Sequence, residues 1–236
     1  LDIYIPELKI AIEHNGLPSH SCNIDNIKNK TKHLNKTKRC EELGIDLFHI
    51  RGDQWIQKTD IIKSMLENKL KLTKNKIPAR KCIIKNISTK EAKEFFDKTH
   101  IQGYTTALIR YGLFYDNKLV SAMTFSKSRY NKNYDWELIR FSNILYTNVI
   151  GAFSKLLKHF RKNHSGSIIS YCDYSRSNGN VYVRNGFALS GNSGVGYYWT
   201  DNHNVYHRTH FQKHKMKDKL KIFDPSLTEK ENMFNN

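Results

Sequence analysis

Asp2 and Glu13 are the two side chains whose types and spacing most directly suggest chemistry. They lie on two apolar-alternating runs, Leu1 to Ile5 and Lys9 to Asn15, separated by Pro6-Glu7-Leu8. If Glu7 and Leu8 form the turn of a hairpin, Ile5 faces Ile10, Tyr4 faces Ala11, Ile3 faces Ile12 and Asp2 faces Glu13. The two-residue period of a strand then places Ile3, Ile5, Ile10 and Ile12 on one face, available for burial. Asp2, Tyr4, Ala11, Glu13 and Asn15 fall on the other. Directly opposed like charges destabilise a sheet. A shared cation relieves that repulsion, and hard oxygen ligands suit Mg²⁺ or Mn²⁺. Glu7-Leu8 is not a favoured hairpin turn, so a longer loop is the alternative; a shift of the pairing by two keeps both acids on one face. The bland alternative is a solvated Glu13 and an Asp2 at a strand end.

A second chemical signal is cationic. Arg208, Lys213, Lys215, Lys217, Lys219 and Lys221 stand close together against Asp218, interleaved with His207, Phe211 and Met216. Such a run suits a surface that follows phosphates. Tyr197, Tyr198 and Trp199 have the faces to stack on bases, but an aromatic cluster in a strand is expected to serve packing.

These residues need elements to hold them. After the hairpin, a polar stretch with Ile24, Ile27, Leu34 and Leu43 as its apolar stripe predicts a helix ending at Gly44, a residue suited to a C-cap. Ile45 to Ile50 alternates as a strand, and Asp60 to Leu72 has helical period. Residues 73–81 are charged, contain Pro78 and lack periodicity, which predicts a linker. Ser88 with Glu91 is a capping-box pair. Strands are expected over Tyr111–Tyr115, Leu119–Ser126 and Trp136–Ser142, then a helix from Gly151 to Asn163, a strand over Ile168–Tyr174 and a short helix over Gly179–Asn185. Domains are therefore expected at 1–72 and 82–236, joined by 73–81.

Composition narrows the function class. The 236 residues include 39 Lys and Arg against 22 Asp and Glu, a formal charge of +17, and the excess is spread over both parts. Such a field attracts polyanions, nucleic acid first among them; a solubilising Lys/Asn-rich surface is the alternative. With 39% hydrophobic residues the chain has material for a core, which argues against a disordered chain. No apolar run approaches the roughly 20 residues of a membrane span, and no signal peptide is visible. Cys22, Cys40, Cys82 and Cys172 form no CxxC pair, which argues against a structural zinc or a disulfide framework and for a reducing cytoplasm. Starting at Leu1 inside a strand pattern, the sequence predicts residues upstream.

Asp2-Ile-Tyr-Ile-Pro6, then Ile10-Ala-Ile-Glu-His-Asn-Gly16, then His20, resembles the core of very-short-patch-repair endonucleases, members of the broad PD-(D/E)xK nuclease class. Lys32-His-Leu-Asn-Lys-Thr37, Gly44-Ile45 and the strand from Ile45 toward Trp55 continue the resemblance in order, over about residues 1–70, in the version found in phage homing endonucleases. The resemblance implies a restriction-endonuclease-like mixed sheet flanked by helices, cutting double-stranded DNA with Mg²⁺ or Mn²⁺. It makes Asp2 and Glu13 the metal carboxylates and puts Asn15 where the general pattern has a lysine. His20 would be base or leaving-group acid, a role that histidine's titration range suits. His33 and Lys36 would touch the phosphate, and Lys32, on the face of Lys36, would contact DNA. His14 is expected to be structural.

Asn117-Lys-Leu-Val-Ser-Ala-Met-Thr-Phe125, Trp136-Glu-Leu-Ile-Arg-Phe141, Val149-Ile-Gly-Ala152 and Ser177 through Gly186-Phe187 are similar to the strands, helix start and "GF" turn of a GNAT acyltransferase, in a variant like the phage Mom-type DNA-modifying proteins, with His100-Ile-Gln-Gly103 near its start. GNAT enzymes hold a cofactor pyrophosphate on backbone N–H groups at that helix start. Here the segment keeps one glycine of the loop, and phosphate or DNA contact is expected rather than an acyl cofactor. The whole reads as an α/β (α+β) protein, a metal-dependent DNA endonuclease with a basic GNAT-like part gripping DNA through Arg208, Lys213, Lys215 and Lys217, at work in the cytoplasm of a host cell. A DNA-modifying acyltransferase and a non-catalytic DNA-binding protein are the alternatives.

Overall fold

Ile3–Ile5 (β1) and Ile10–Asn15 (β2) pair antiparallel, with Ile3 opposite Ile12, Tyr4 opposite Ala11 and Ile5 opposite Ile10. These pairs come from a computed structural model, which describes residues 1–16, 31–194, 196–201 and 204–236. The pairing is the one the alternation predicts, but the turn differs. Pro6 has no N–H to give a ladder, so pairing stops at Ile5. Pro6–Leu8 winds into a short 3₁₀ turn closed by Lys9 at φ 52°, whose N–H donates to the Pro6 carbonyl at 3.1 Å.

Lys32–Glu42 (α1) ends at the glycine foreseen for it. Gly44 adopts φ 70°, the Gly44 N–H donates to the Glu41 carbonyl at 2.9 Å, and the Ile45 N–H reaches the Cys40 carbonyl at 2.8 Å. This is a Schellman ending, which satisfies orphan helix carbonyls. Asp46–Arg51 (β3) then runs parallel to β2, giving the order β1-β2-β3.

Burial differs from the expectation of one apolar and one wet face. Ala11, Cys40 and Leu47 form a buried cluster, so α1 covers the face that carries Glu13 and Asn15. Central strand β2 is buried on both sides (Ile10 6%, Ala11 0%, Ile12 9%, Glu13 5% exposed), whereas Ile3, on the edge strand, is 53% exposed. A central strand with a helix on one face tolerates a polar residue there only if its charge is matched.

Contacts divide the chain into two units, Leu1–Asp53 with Ser190–Asn236, and Gln54–Leu189. The dividing point lies within a short helix, Gly52–Gln57 (α2). The expected boundary at 73–81 is not where the contacts divide. That stretch holds a strand, Asn75–Pro78 (β4), which pairs parallel with Thr147–Ile150 (β9). Backbone pairing asks nothing of side-chain period, so this strand leaves no periodic pattern to read.

The middle unit is built on a five-stranded sheet. Thr59–Lys69 (α3) precedes β4, and the sheet strands are Ile83–Asn86 (β5), Ile109–Tyr115 (β6), Lys118–Lys127 (β7), Trp136–Asn143 (β8) and Ile168–Ser170 (β10), in the order β10-β8-β7-β6-β5. Neighbours are antiparallel except β10, which lies parallel to β8. A parallel neighbour demands a crossover, and the helix Ala152–Asn163 (α5) lies between them in sequence. Phe160 of α5 stacks on Phe125 with centroids 3.7 Å apart, within a cluster that includes Leu113, Met123, Leu138, Leu156 and Leu157. Ala122 and Phe114, next to Met123 and Leu113 in sequence, point to the opposite face. There they meet Ala92, Phe95 and Phe96 of Thr89–Thr99 (α4). The helix α4 starts at the foreseen capping box: the Glu91 N–H donates to Ser88 Oγ at 3.2 Å, and the Ser88 N–H to Glu91 Oε2 at 2.7 Å. A short helix, Asn180–Val183 (α6), follows β10.

The C-terminal segment belongs to the first unit. Tyr198–Thr200 (β11) and Val205–His207 (β12) pair antiparallel, followed by Lys213–Met216 (α7) and Glu229–Phe234 (α8). Met216 is fully buried. Asn232, 1% exposed, donates to the carbonyls of Asp224, Leu227 and Thr228 and accepts from the Asp224 N–H, so its polar atoms are satisfied. Among the described residues no helix is long and apolar enough to cross a membrane.

Candidate functional site

Glu13 is the centre of the site. It is 5% exposed, on the strand face that α1 covers, and Lys36 reaches down from α1 to donate to its Oε1. Burial pushes the carboxyl upward; the Lys36 hydrogen bond and charge outweigh that and hold it below its ordinary value, with the Asp2 charge opposing. Oε2 has no hydrogen-bond partner and lies 3.6 Å from the Leu1 nitrogen. Asp2 is exposed, and its Oδ2 accepts from the His14 N–H at 2.6 Å.

The register carries β3 into the same site. Glu13 is opposite His49 and Asn15 opposite Arg51. His49, 4% exposed, meets Asn15 Nδ2 through Nδ1 at 3.1 Å and Thr37 Oγ1 through Nε2 at 2.8 Å. The His33 ring stands edge-on to His49 with centroids 5.7 Å apart. One turn of α1 therefore supplies His33, Lys36 and Thr37 to a face carrying Glu13, Asn15 and His49. The sequence reading missed His49 and Thr37. The available signal was a histidine two residues from Leu47 in an alternating strand, hence on the covered face.

Asp2, Glu13, Asn15, His33 and Lys36 are thus brought into one neighbourhood. His20 lies outside the described residues. His14 is exposed, off this face. Lys32 is exposed at the start of α1. Arg208, Lys213 and Lys217 are exposed, while Lys215 folds back with Nζ on the Thr209 carbonyl at 3.3 Å and Gln212 Oε1 at 3.1 Å. By contacts these basic residues fall in the unit that holds Glu13, not in the unit of the five-stranded sheet.

Arg51 explains part of that grouping. It forms a bidentate pair with the buried Asp53 (2.6 and 2.9 Å), and its guanidinium lies 4.1 Å from the centroid of the Tyr198 ring. Burial pulls its pKa down, and the Asp53 hydrogen bonds and charge more than restore it, so the group is held above its ordinary value. The Trp199 ring stands edge-on to Phe234 at 6.3 Å. Trp199 is half-buried, whereas Tyr197 and Tyr198 are exposed, Tyr198 against the Arg51 guanidinium.

A divalent cation is tested by the donors present. Among the described residues no three His, Cys, Asp or Glu side chains are grouped to hold a metal ion. Oxygen donors are nevertheless at hand: Glu13 Oε2 and Asn15 Oδ1 are both buried without a hydrogen-bond partner, and Asp2 is near enough for its charge to act on Glu13. Orphaned oxygens in a buried site are costly, and carboxylate and amide oxygens are the ligands hard cations take. The donor set fits Mg²⁺ or Mn²⁺. Comparison of the chain with protein-family models, curated proteins and solved structures found no match.

Proposed function

We propose that the chain is a metal-dependent DNA endonuclease of phage homing type, its N-terminal sheet restriction-endonuclease-like and its middle unit GNAT-like, acting in the cytoplasm of the cell that contains it. The observation that carries this reading is the buried Glu13 carboxylate, with Asp2 beside it, Lys36 on one oxygen and nothing hydrogen-bonded to the other. Bound by Asp2 and Glu13, Mg²⁺ or Mn²⁺ would polarise a phosphoryl oxygen and lower the pKa of a bound water. Lys36 keeps Glu13 ionised and brings a positive charge to the site, where it steadies charge developing on phosphate. His33 stands at the rim of the same face, and His20 remains the proposed proton carrier. Basic Lys32, Arg208, Lys213, Lys215 and Lys217 give the same unit phosphate-tracking charge for double-stranded DNA.

The acyltransferase alternative draws on the order β10-β8-β7-β6-β5 with α5 as crossover, which supports the GNAT-like reading of the middle unit. Its cofactor would need backbone N–H groups before α5, yet Thr147–Ile150 is paired with β4. Lys155 of α5 donates to the Ala79 and Cys82 carbonyls at 2.9 and 2.6 Å, which ties the segment after β4 to the helix start. This favours hydrolysis over acyl transfer.

Supercoiled plasmid incubated with the protein and Mg²⁺ tests the proposal. Nicking that disappears in Asp2→Ala and in Glu13→Ala is expected. Nicking that persists in both, or salt-sensitive DNA binding without any cleavage, overturns it, and an acyl-CoA-dependent mass increase of the DNA would replace it with the alternative.

A further inference from the structure

The Asn15 amide has one orientation that suits the protons around it. Thr37 Oγ1 donates its single proton to the His33 carbonyl at 3.0 Å, the backbone bond open to a threonine inside a helix. Toward His49 Nε2, 2.8 Å away, the same oxygen is therefore an acceptor, which places the imidazole proton on Nε2. Asn15 Nδ2 stands 3.1 Å from His49 Nδ1 and donates to it. The amide oxygen is turned away from His49. It is buried and has no hydrogen-bond partner.

Two residues upstream on the same strand face, Glu13 Oε2 likewise has no hydrogen-bond partner, although the Leu1 nitrogen lies 3.6 Å from it. Strand geometry sets the two Cβ atoms about 7 Å apart, a span that two side chains reaching toward a common ion can close. A buried oxygen left unsatisfied costs about 1–3 kcal/mol, and here one belongs to the Asn15 amide and one to the Glu13 carboxylate. A basic side chain would have satisfied them by hydrogen bonding; Lys36 instead donates to the other oxygen of Glu13.

We infer that Asn15 is an oxygen ligand of the divalent cation, and that His49 and Thr37 are positioning residues that hold its carbonyl toward the ion. The inference rests on the metal-dependent reading above. Asn15 thus takes a ligand's part at the position where the resemblance calls for a lysine. Removal of such outer partners typically lowers metal affinity about 10–100-fold.

Mn²⁺ alone, without DNA, is titrated into the full chain, and free ion is followed by electron paramagnetic resonance. Wild-type protein is expected to bind Mn²⁺, and Asp2→Ala and Glu13→Gln to lose it. Asn15→Leu and Thr37→Val are expected to bind about 10–100-fold more weakly, while Thr37→Ser, which keeps the hydroxyl, binds like wild type. Unchanged affinity in Asn15→Leu and Thr37→Val, with the acid variants still defective, overturns the role of Asn15 and leaves the nuclease reading standing. Absence of Mn²⁺ binding in the wild type overturns both. If Asn15→Leu fails to fold, wild-type affinity in a folded Thr37→Val overturns the inference by itself.

Discussion

Replacing Lys36 by methionine keeps the length of the side chain on α1 and removes the ammonium from Glu13. Breaking a buried ion pair by deleting one partner costs about 3–5 kcal/mol, because the remaining charge is left without compensation. The Lys36 side chain is 31% exposed against 7% for Glu13, so water screens part of the pair. About 2–3 kcal/mol is the expected loss near neutral pH. The sign with pH follows from Glu13. In the wild type its folded pKa lies below the ordinary 4.5, so the pair contributes stability above that value and loses it as pH falls through the folded one. In Lys36→Met burial and Asp2 push upward, and the Leu1 ammonium remains to oppose them. The variant's folded pKa then lies above the wild-type one, so its deficit is full near neutral pH and shrinks as pH falls through the carboxylate range. Urea unfolding from pH 4 to pH 8, read from the ¹⁹F resonance of 5-fluorotryptophan at Trp199 in the same unit, measures this directly. A deficit independent of pH would refute the reasoning. So would an equal loss when Lys36→Met is placed on a Glu13→Gln background, where no charge remains to strand.

Gly112 lies on β6 where an added Cβ would sit 2.5 Å from Leu119 Cδ1 and 2.8 Å from Ile87 Cγ2. Gly112→Ala is expected to destabilise the middle unit by about 1–3 kcal/mol through overpacking, read as a lower Tm, and an unchanged Tm would contradict the packing described. For the basic segment, replacing Lys213, Lys215 and Lys217 together by glutamine is expected to reduce the slope of log affinity for duplex DNA against log salt by roughly 2–3, at about 0.9 per phosphate contact. A slope equal to wild type would remove these lysines from the DNA interface.

The hairpin was legible because alternation of isoleucines fixes a register, and Ile3–Ile12, Tyr4–Ala11 and Ile5–Ile10 pair accordingly. The capping box at Ser88 and the helix ending at Gly44 were legible because each is local chemistry within a few residues. The covered face was not. Alternation marks two faces without saying which receives a helix, and Glu13 resembles a solvated residue until α1 lies over it. His49 joins the site through a parallel register between β2 and β3, a long-range match with no trace in either strand's own pattern. The strand at 75–78 carries too few apolar residues to announce itself beside lysines. Grouping 190–236 with the N-terminal strands depends on contacts such as Arg51 with Tyr198, which linear composition does not encode.

That grouping has a consequence for how the protein is made. The strands beside Asp2 and Glu13 leave the ribosome before the middle unit, but Tyr198 and the buried Asn232 of the same unit follow only after it. At about 5–20 residues per second, the wait is on the order of ten seconds. During it Arg51 is without its aromatic neighbour Tyr198. A fragment ending before Ser190 would stay in that state permanently, so trimming the chain to its first strands and helices removes part of the very unit it is meant to isolate.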